Sequence, residues 1–299
     1  MLTLLPRTVA NTQNFTKETC SVGESVYGYY PSQPVNVILV AIFAISFIAN
    51  LFQGIKSRSW TFTIALGVGT SAEAVGYIGR LLLRNDPFNK AYMGIQLVCL
   101  TVAPAFIAAG IYLTLKYLVI VHGVGFSRLP PKWYTRIFIS CDIVSIIVQT
   151  AGAGMASGGP SMIKTGNDVM MIGLAFQVVT LAIFRAMALH VWSRISKYKG
   201  ELSHSTKAMR NTKRFKGLIA FIIVVFTTIL IRCIYRVAEM AGGWGNRIMQ
   251  NQVSFIVLDG VMCFIAVLAL NVFHPGFLFQ ESHGTVEGGA RDSTVVQKV

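Results

Sequence analysis

TSAEAVGYIGR, residues 70–80, puts Glu73 and Arg80 seven residues apart inside a run otherwise composed to cross a membrane. An ionisable group at a bilayer centre costs about 2.5–3.5 kcal/mol on insertion scales, so each one needs a reason. Seven residues make nearly two helical turns, which sets Glu73, Gly76, Tyr77 and Arg80 on one face of a helix. Gly69, Gly76 and Gly79 in the same segment leave room for a neighbouring helix to come close. The stripe is therefore expected to face protein, and the segment to belong to a bundle.

The rest of the chain agrees. It has 299 residues, of which 54% are hydrophobic and 13% charged, and its mean hydropathy is +0.59. Soluble domains carry roughly 25% charged residues. The deficit marks a multi-pass membrane protein. Seven apolar runs, 35–55, 60–83, 92–117, 135–156, 169–192, 217–241 and 253–273, reach spanning length. The expected fold is an all-α membrane protein, a seven-transmembrane-helix bundle. Residues 1–34 form an N-terminal segment, 35–273 the membrane domain and 274–299 a polar tail expected to be disordered. The N-terminus lacks a convincing cleaved signal, so the first helix is expected to do the targeting.

A net charge of +14 would suggest nucleic acid in a soluble protein, but here the position of the charges decides. One side of the membrane collects 15 Lys and Arg, eight of them between residues 193 and 216, and the other side six. The basic side is cytoplasmic, which puts the N-terminus outside and the C-terminus inside, with no nucleic-acid partner. Asn14-Phe15-Thr16 fits a glycosylation acceptor and agrees weakly with this orientation. The 193–216 stretch reads either as a topological anchor or as a contact for anionic lipid head groups.

The sixth segment repeats the pattern of the second. In IRCIYRVAEMAGGWG, Arg232, Arg236 and Glu239 share a face, with Tyr235 beside them. Asp259 adds an acid from the seventh segment and Gln96 an amide from the third. At about 1.5 Å per residue, all six charges fall in the outer half of the membrane, three acids against three arginines. They are read as lining one outward-facing polar cavity, with Gln96, Tyr77, Tyr112 and Tyr235 completing a site for an amphiphile's head group. The structural alternative is that the six pair off and hold helices together. Nearer the inner side, Asp142 and Arg185 lie at matching depth on adjacent helices and are expected to form a structural ion pair. Pro104 removes an N–H from the third helix and frees the carbonyl of Leu100. Gln149, Gly152 and Gly154 read as a close-packing patch, and Asn50 and Asn271 as satisfying nearby backbone.

With these motifs in place, the sequence resembles the fungal lipid-translocating exporter family. The matching stretches are YYPS (29–32), EAVGYIGR (73–80), IQLVCLTVAPAFIAAGIY (95–112), DIVSIIVQTAGAG (142–154), IRCIYRVAEMAGG (231–243), LDG (258–260) and HPG (274–276). Gln252 and Ile256 depart from a pattern that often has an acid and an aromatic there. The resemblance implies a plasma-membrane or endomembrane protein that exports sphingoid bases or other amphipathic molecules, with membrane lipids as its surroundings. No phosphate-binding G-x-x-x-x-G-K-[ST] is present, so active transport would draw on a gradient or a partner. A seven-helix receptor or sensor signalling through the basic loop is the alternative, although the third and seventh helices lack the usual receptor motifs. An enzyme is not expected, because the five histidines lack metal-ligand spacing, and neither cofactor nor metal is expected.

Overall fold

In the computed structural model, residues 22, 25–122, 131–157, 161–197 and 213–274 are described. Asn14, most of the 193–216 basic stretch and the tail beyond His274 lie outside them. Among the described residues there are seven long helices and no strand: α1 (Gln33–Ser57), α2 (Trp60–Asn85), α3 (Lys90–His122), α4 (Pro131–Ser157), α5 (Ile163–Lys197), α6 (Lys213–Ala241) and α7 (Gln252–Val272). Each expected segment corresponds to one helix. Six are long and apolar enough to cross a membrane; α2, at 26 residues, has the length but carries the charged stripe.

The outer surface is apolar, and the charged groups within the bundle are set into an otherwise apolar core. Ile45, Phe52, Ile64, Ile147, Ile172 and Val272 face outward. Glu73, Arg80, Gln96, Arg232 and Asp259 are buried. This is the distribution a hydrocarbon solvent demands, since apolar groups can face acyl chains whereas charges must face one another.

Small residues set how closely the helices approach. On α2, a Cβ at Gly76 would lie 2.6 Å from the Leu100 side chain, and one at Gly79 would lie 3.1 Å from the Gln96 nitrogen. The glycine-bearing face of α2 is thus the seam with α3, as its spacing predicts. The α4–α5 seam is tighter still: a Cβ at Gly152 would sit 2.5 Å from the Met170 nitrogen. Gly154 has nothing within 4 Å and plays no part in this seam; Gly166 and Gly173 of α5 do. Gln149 donates to Gln177 at 3.0 Å, and Ser145 donates to the Gly173 carbonyl at 2.9 Å.

Two local features position the site. Ile256–Val261 of α7 is wound as a π-helix, with Asp259 inside the widened turn. Such turns insert one residue into a helix and often mark functional positions. Ahead of α1, residues 25–32 form a strap across one end of the bundle. Gly28, at φ +68°, turns the chain between Tyr27 and Tyr29, a conformation favoured by glycine.

Candidate functional site

The buried face of α2 runs Leu66, Gly69, Thr70, Glu73, Gly76, Tyr77, Arg80, Leu83, at three- and four-residue steps. That of α6 runs Ile229, Arg232, Cys233, Tyr235, Arg236, Glu239. Both stripes point inward, as periodicity requires. α7 sets Asp259 against them. Arg232 lies at the junction: its Nε is 3.0 Å from Asp259 and its Nη2 is 3.5 Å from Glu73. Tyr77 donates to Asp259 at 3.3 Å. Arg232 also donates to the carbonyl of Leu100. That carbonyl is the one released by Pro104, so the missing N–H in the continuous α3 helix supplies the acceptor that anchors the guanidinium. Two carboxylates share one arginine here, and the Cys263 thiol lies beside Glu73.

Arg236 and Glu239 form a second pair on the same helix, at 2.6 Å, and Arg236 reaches Thr101 of α3 at 3.4 Å. The Glu239 carbonyl is capped by Asn246 at 2.5 Å. This pair is self-contained and neutral.

Arg80 is set differently. It is fully buried, yet among the described residues no carboxylate lies within 4 Å of it. Phe255 covers the guanidinium at 3.8 Å, with the Tyr27 and Tyr29 rings at 5.2 and 5.8 Å. Its Nη2 donates to the Tyr29 hydroxyl at 2.5 Å, while Nε and Nη1 donate to nothing. A desolvated cation–π contact is worth about 2 kcal/mol. Removing a guanidinium from water costs several kcal/mol. The cage therefore offsets only part of the cost. Gln96 donates to the Tyr27 hydroxyl at 3.0 Å, tying the strap to α3, and burial lifts that phenol to a pKa of about 12.

Most sequence-assigned residues thus meet at one end of the bundle: Glu73, Tyr77, Arg80, Gln96, Arg232, Arg236, Glu239 and Asp259, with Tyr235 buried alongside on α6. All are buried. Tyr112 does not join them. It lies sixteen residues beyond Gln96, about 24 Å further along α3, packed at tilted angles against the Phe138 and Phe184 rings. Its polar neighbour is Asp142. The expected Asp142–Arg185 ion pair is not formed: Asp142 turns toward Tyr112, and Arg185 is only half-buried on α5. The reason lies in α5: Asp142 shares the face of Ser145 and Gln149 that meets α5, but Arg185 is turned about 80–120° away from Gln177 and Gly173, the residues of α5 that face α4. Tyr27, Tyr29, Phe255 and Thr101 join this cluster through Gln96, Arg80 and Arg236 and were not among the expected residues. The cluster of aromatics in YGYY, residues 27–30, directly before a span, was the available signal.

A membrane-type helical bundle with a charged interior at one end defines a class, the multi-pass membrane proteins that handle polar groups within the bilayer. A family model described as "RTA1 like protein" matches residues 66–282, and the chain belongs to that family. It is 32% identical over 295 residues to the sphingoid long-chain base transporter RSB1 of Saccharomyces cerevisiae, covering 88% of this chain and 77% of the relative. It is 28% identical to protoporphyrin uptake protein 1 of the same yeast, over 68% of this chain and 65% of the relative. A probable lipid transporter, atnI of Emericella nidulans, is 24% identical over 84% of this chain and 68% of that protein. No solved structure matches the chain.

Proposed function

We propose that this chain is a seven-span exporter of amphipathic lipids, with its N-terminus outside, its C-terminus in the cytoplasm and the plasma membrane as its site of action. The observation that carries the reading is the gathering of six buried charges at the end of the bundle under the strap. Groups this costly persist in a membrane where they serve a polar passenger. The substrates are of the sphingoid-base class, in line with the transporter at 32% identity. The ammonium of such a lipid is taken by Glu73 and Asp259, which outnumber the arginine between them. Its chain stays among the apolar walls or in the surrounding lipid. The packed arrangement corresponds to an occluded state, and an outward-open state exposes the same residues to the exterior. The basic 193–216 stretch contacts anionic lipid head groups on the cytoplasmic leaflet.

The test is transbilayer movement of a labelled sphingoid base in proteoliposomes. Glu73→Gln and Arg236→Ala are expected to cut the rate at least about tenfold, the effect of losing one charged contact. Unchanged movement in both variants would remove the site from the mechanism.

A further inference from the structure

Arg232 and Arg236 are each committed to carboxylates; among the described residues Arg80 is not. It is fully buried, and Nε and Nη1 make no hydrogen bond. A guanidinium presents its donors as a planar fork that matches the oxygens of phosphate or carboxylate. The oxygen it does hold is the Tyr29 hydroxyl. That hydroxyl belongs to the strap, not to a helix. The strap is anchored at Tyr27, which is buried with Leu83, Met170 and Met240 and accepts from Gln96 at 3.0 Å, and by Arg84 on the Pro31 carbonyl at 3.0 Å; Tyr29 is only partly buried at the edge of that cluster.

We propose that Arg80 is an anion subsite: it takes the phosphate or carboxylate oxygens of an amphiphile's head group, in the position that the Tyr29 hydroxyl fills when the strap is closed. The inference rests on the reading of the polar core as a head-group site and adds a chemical class to it, lipids bearing an anionic group. Glu73 and Arg80 are seven residues apart, roughly 10 Å along α2. The acid-rich pole and the cationic pole are therefore separate contacts. A head group carrying an amine uses the first, and an anionic one uses the second. The Phe255 and Tyr27 rings wall off the guanidinium, so the contact is made out of water, where charge-assisted hydrogen bonds are strong.

The experiment measures binding to the purified full chain in nanodiscs. The probes are a C18 2-amino-1,3-diol and its 1-phosphate ester, with inorganic phosphate as competitor. Arg80→Gln is expected to weaken the ester at least about tenfold and the unphosphorylated base less than about threefold. Arg80→Lys, which keeps the charge and loses the fork, is expected to fall between. Tyr29→Phe removes the competing hydroxyl and is expected to tighten the ester about threefold. Displacement of the ester by millimolar inorganic phosphate supports the subsite and assigns it to free anions; resistance supports a lipid-borne group. Equal weakening of both probes by Arg80→Gln, or an unchanged ester, overturns the proposal. Should neither arginine variant fold, an unchanged ester affinity in Tyr29→Phe overturns it. Binding of the base that ignores Glu73→Gln counts against the head-group reading itself. Glu73-dependent base binding, together with an ester indifferent to Arg80, removes the anion subsite alone.

Discussion

Removing Arg232 tests whether the charged core is a mutually dependent unit. In Arg232→Leu, Glu73 and Asp259 lose the cation they share at 3.5 and 3.0 Å. The Leu100 carbonyl loses its donor, and Pro104 prevents the helix from replacing it. Breaking a buried pair by deleting one partner costs about 3–5 kcal/mol, because an uncompensated charge stays behind. Two carboxylates remain here, so the upper end applies. At 2–4 °C per kcal/mol for a chain of this order, the thermal midpoint in detergent is expected to fall by roughly 10–20 °C. The triple variant Glu73→Gln, Arg232→Leu, Asp259→Asn carries no orphaned charge and is expected to regain most of that loss, since replacing all partners is often near neutral. It is expected to be folded and inactive in lipid movement. The assay is thermal unfolding followed by size-exclusion of the surviving monodisperse fraction. A single variant within about 1 kcal/mol of the parent, or a triple variant as unstable as the single, would refute the ion network as described.

Other outcomes follow from the same geometry. Gly152→Val places side-chain atoms where backbone of α5 already lies and is expected to cost about 3 kcal/mol or more. Gly154→Ala, in open space one turn-fraction away, is expected to stabilise by up to about 1 kcal/mol through helix propensity; thermal midpoints compare the two. Pro104→Ala returns an N–H that competes with Arg232 for the Leu100 carbonyl, so lipid movement is expected to fall while the thermal midpoint holds or rises. Burial against Phe62 holds the His274 pKa down near 4, below the ordinary value of 6.5. Its neutral form therefore stabilises fully above pH 6.5 and is lost as pH falls toward 4. The midpoint of the parent is expected to drop more than that of His274→Phe between pH 7 and 4.5.

The stripes on α2 and α6 were legible because a 3.6-residue repeat fixes which residues share a face, and burial cost fixes which way that face turns. The link between Pro104 and a free Leu100 carbonyl was legible because it follows from the missing N–H; that Arg232 would claim it was not. The Asp142–Arg185 pairing failed for a definable reason. Sequence gives depth along a helix axis, but rotation about it depends on the partner seam, and Gly152 with Gly166 had already set it. Tyr112 was assigned by belonging to the right helix rather than the right depth. Tyr27 and Tyr29 escaped because residues outside a helix carry no periodicity to read. The π-turn around Asp259 leaves no mark on a hydropathy pattern at all.

That widened turn gives α7 a property its neighbours lack. A surplus residue in a helix can be handed from one turn to the next, and each such move rotates the intervening side chain by about 100°. Passing it beyond Asp259 would swing this carboxylate away from Arg232 while Phe255 above and Ala266 below kept their places. A charge could then be released and recaptured by a swivel inside a single rod, without any helix tilting through the lipid.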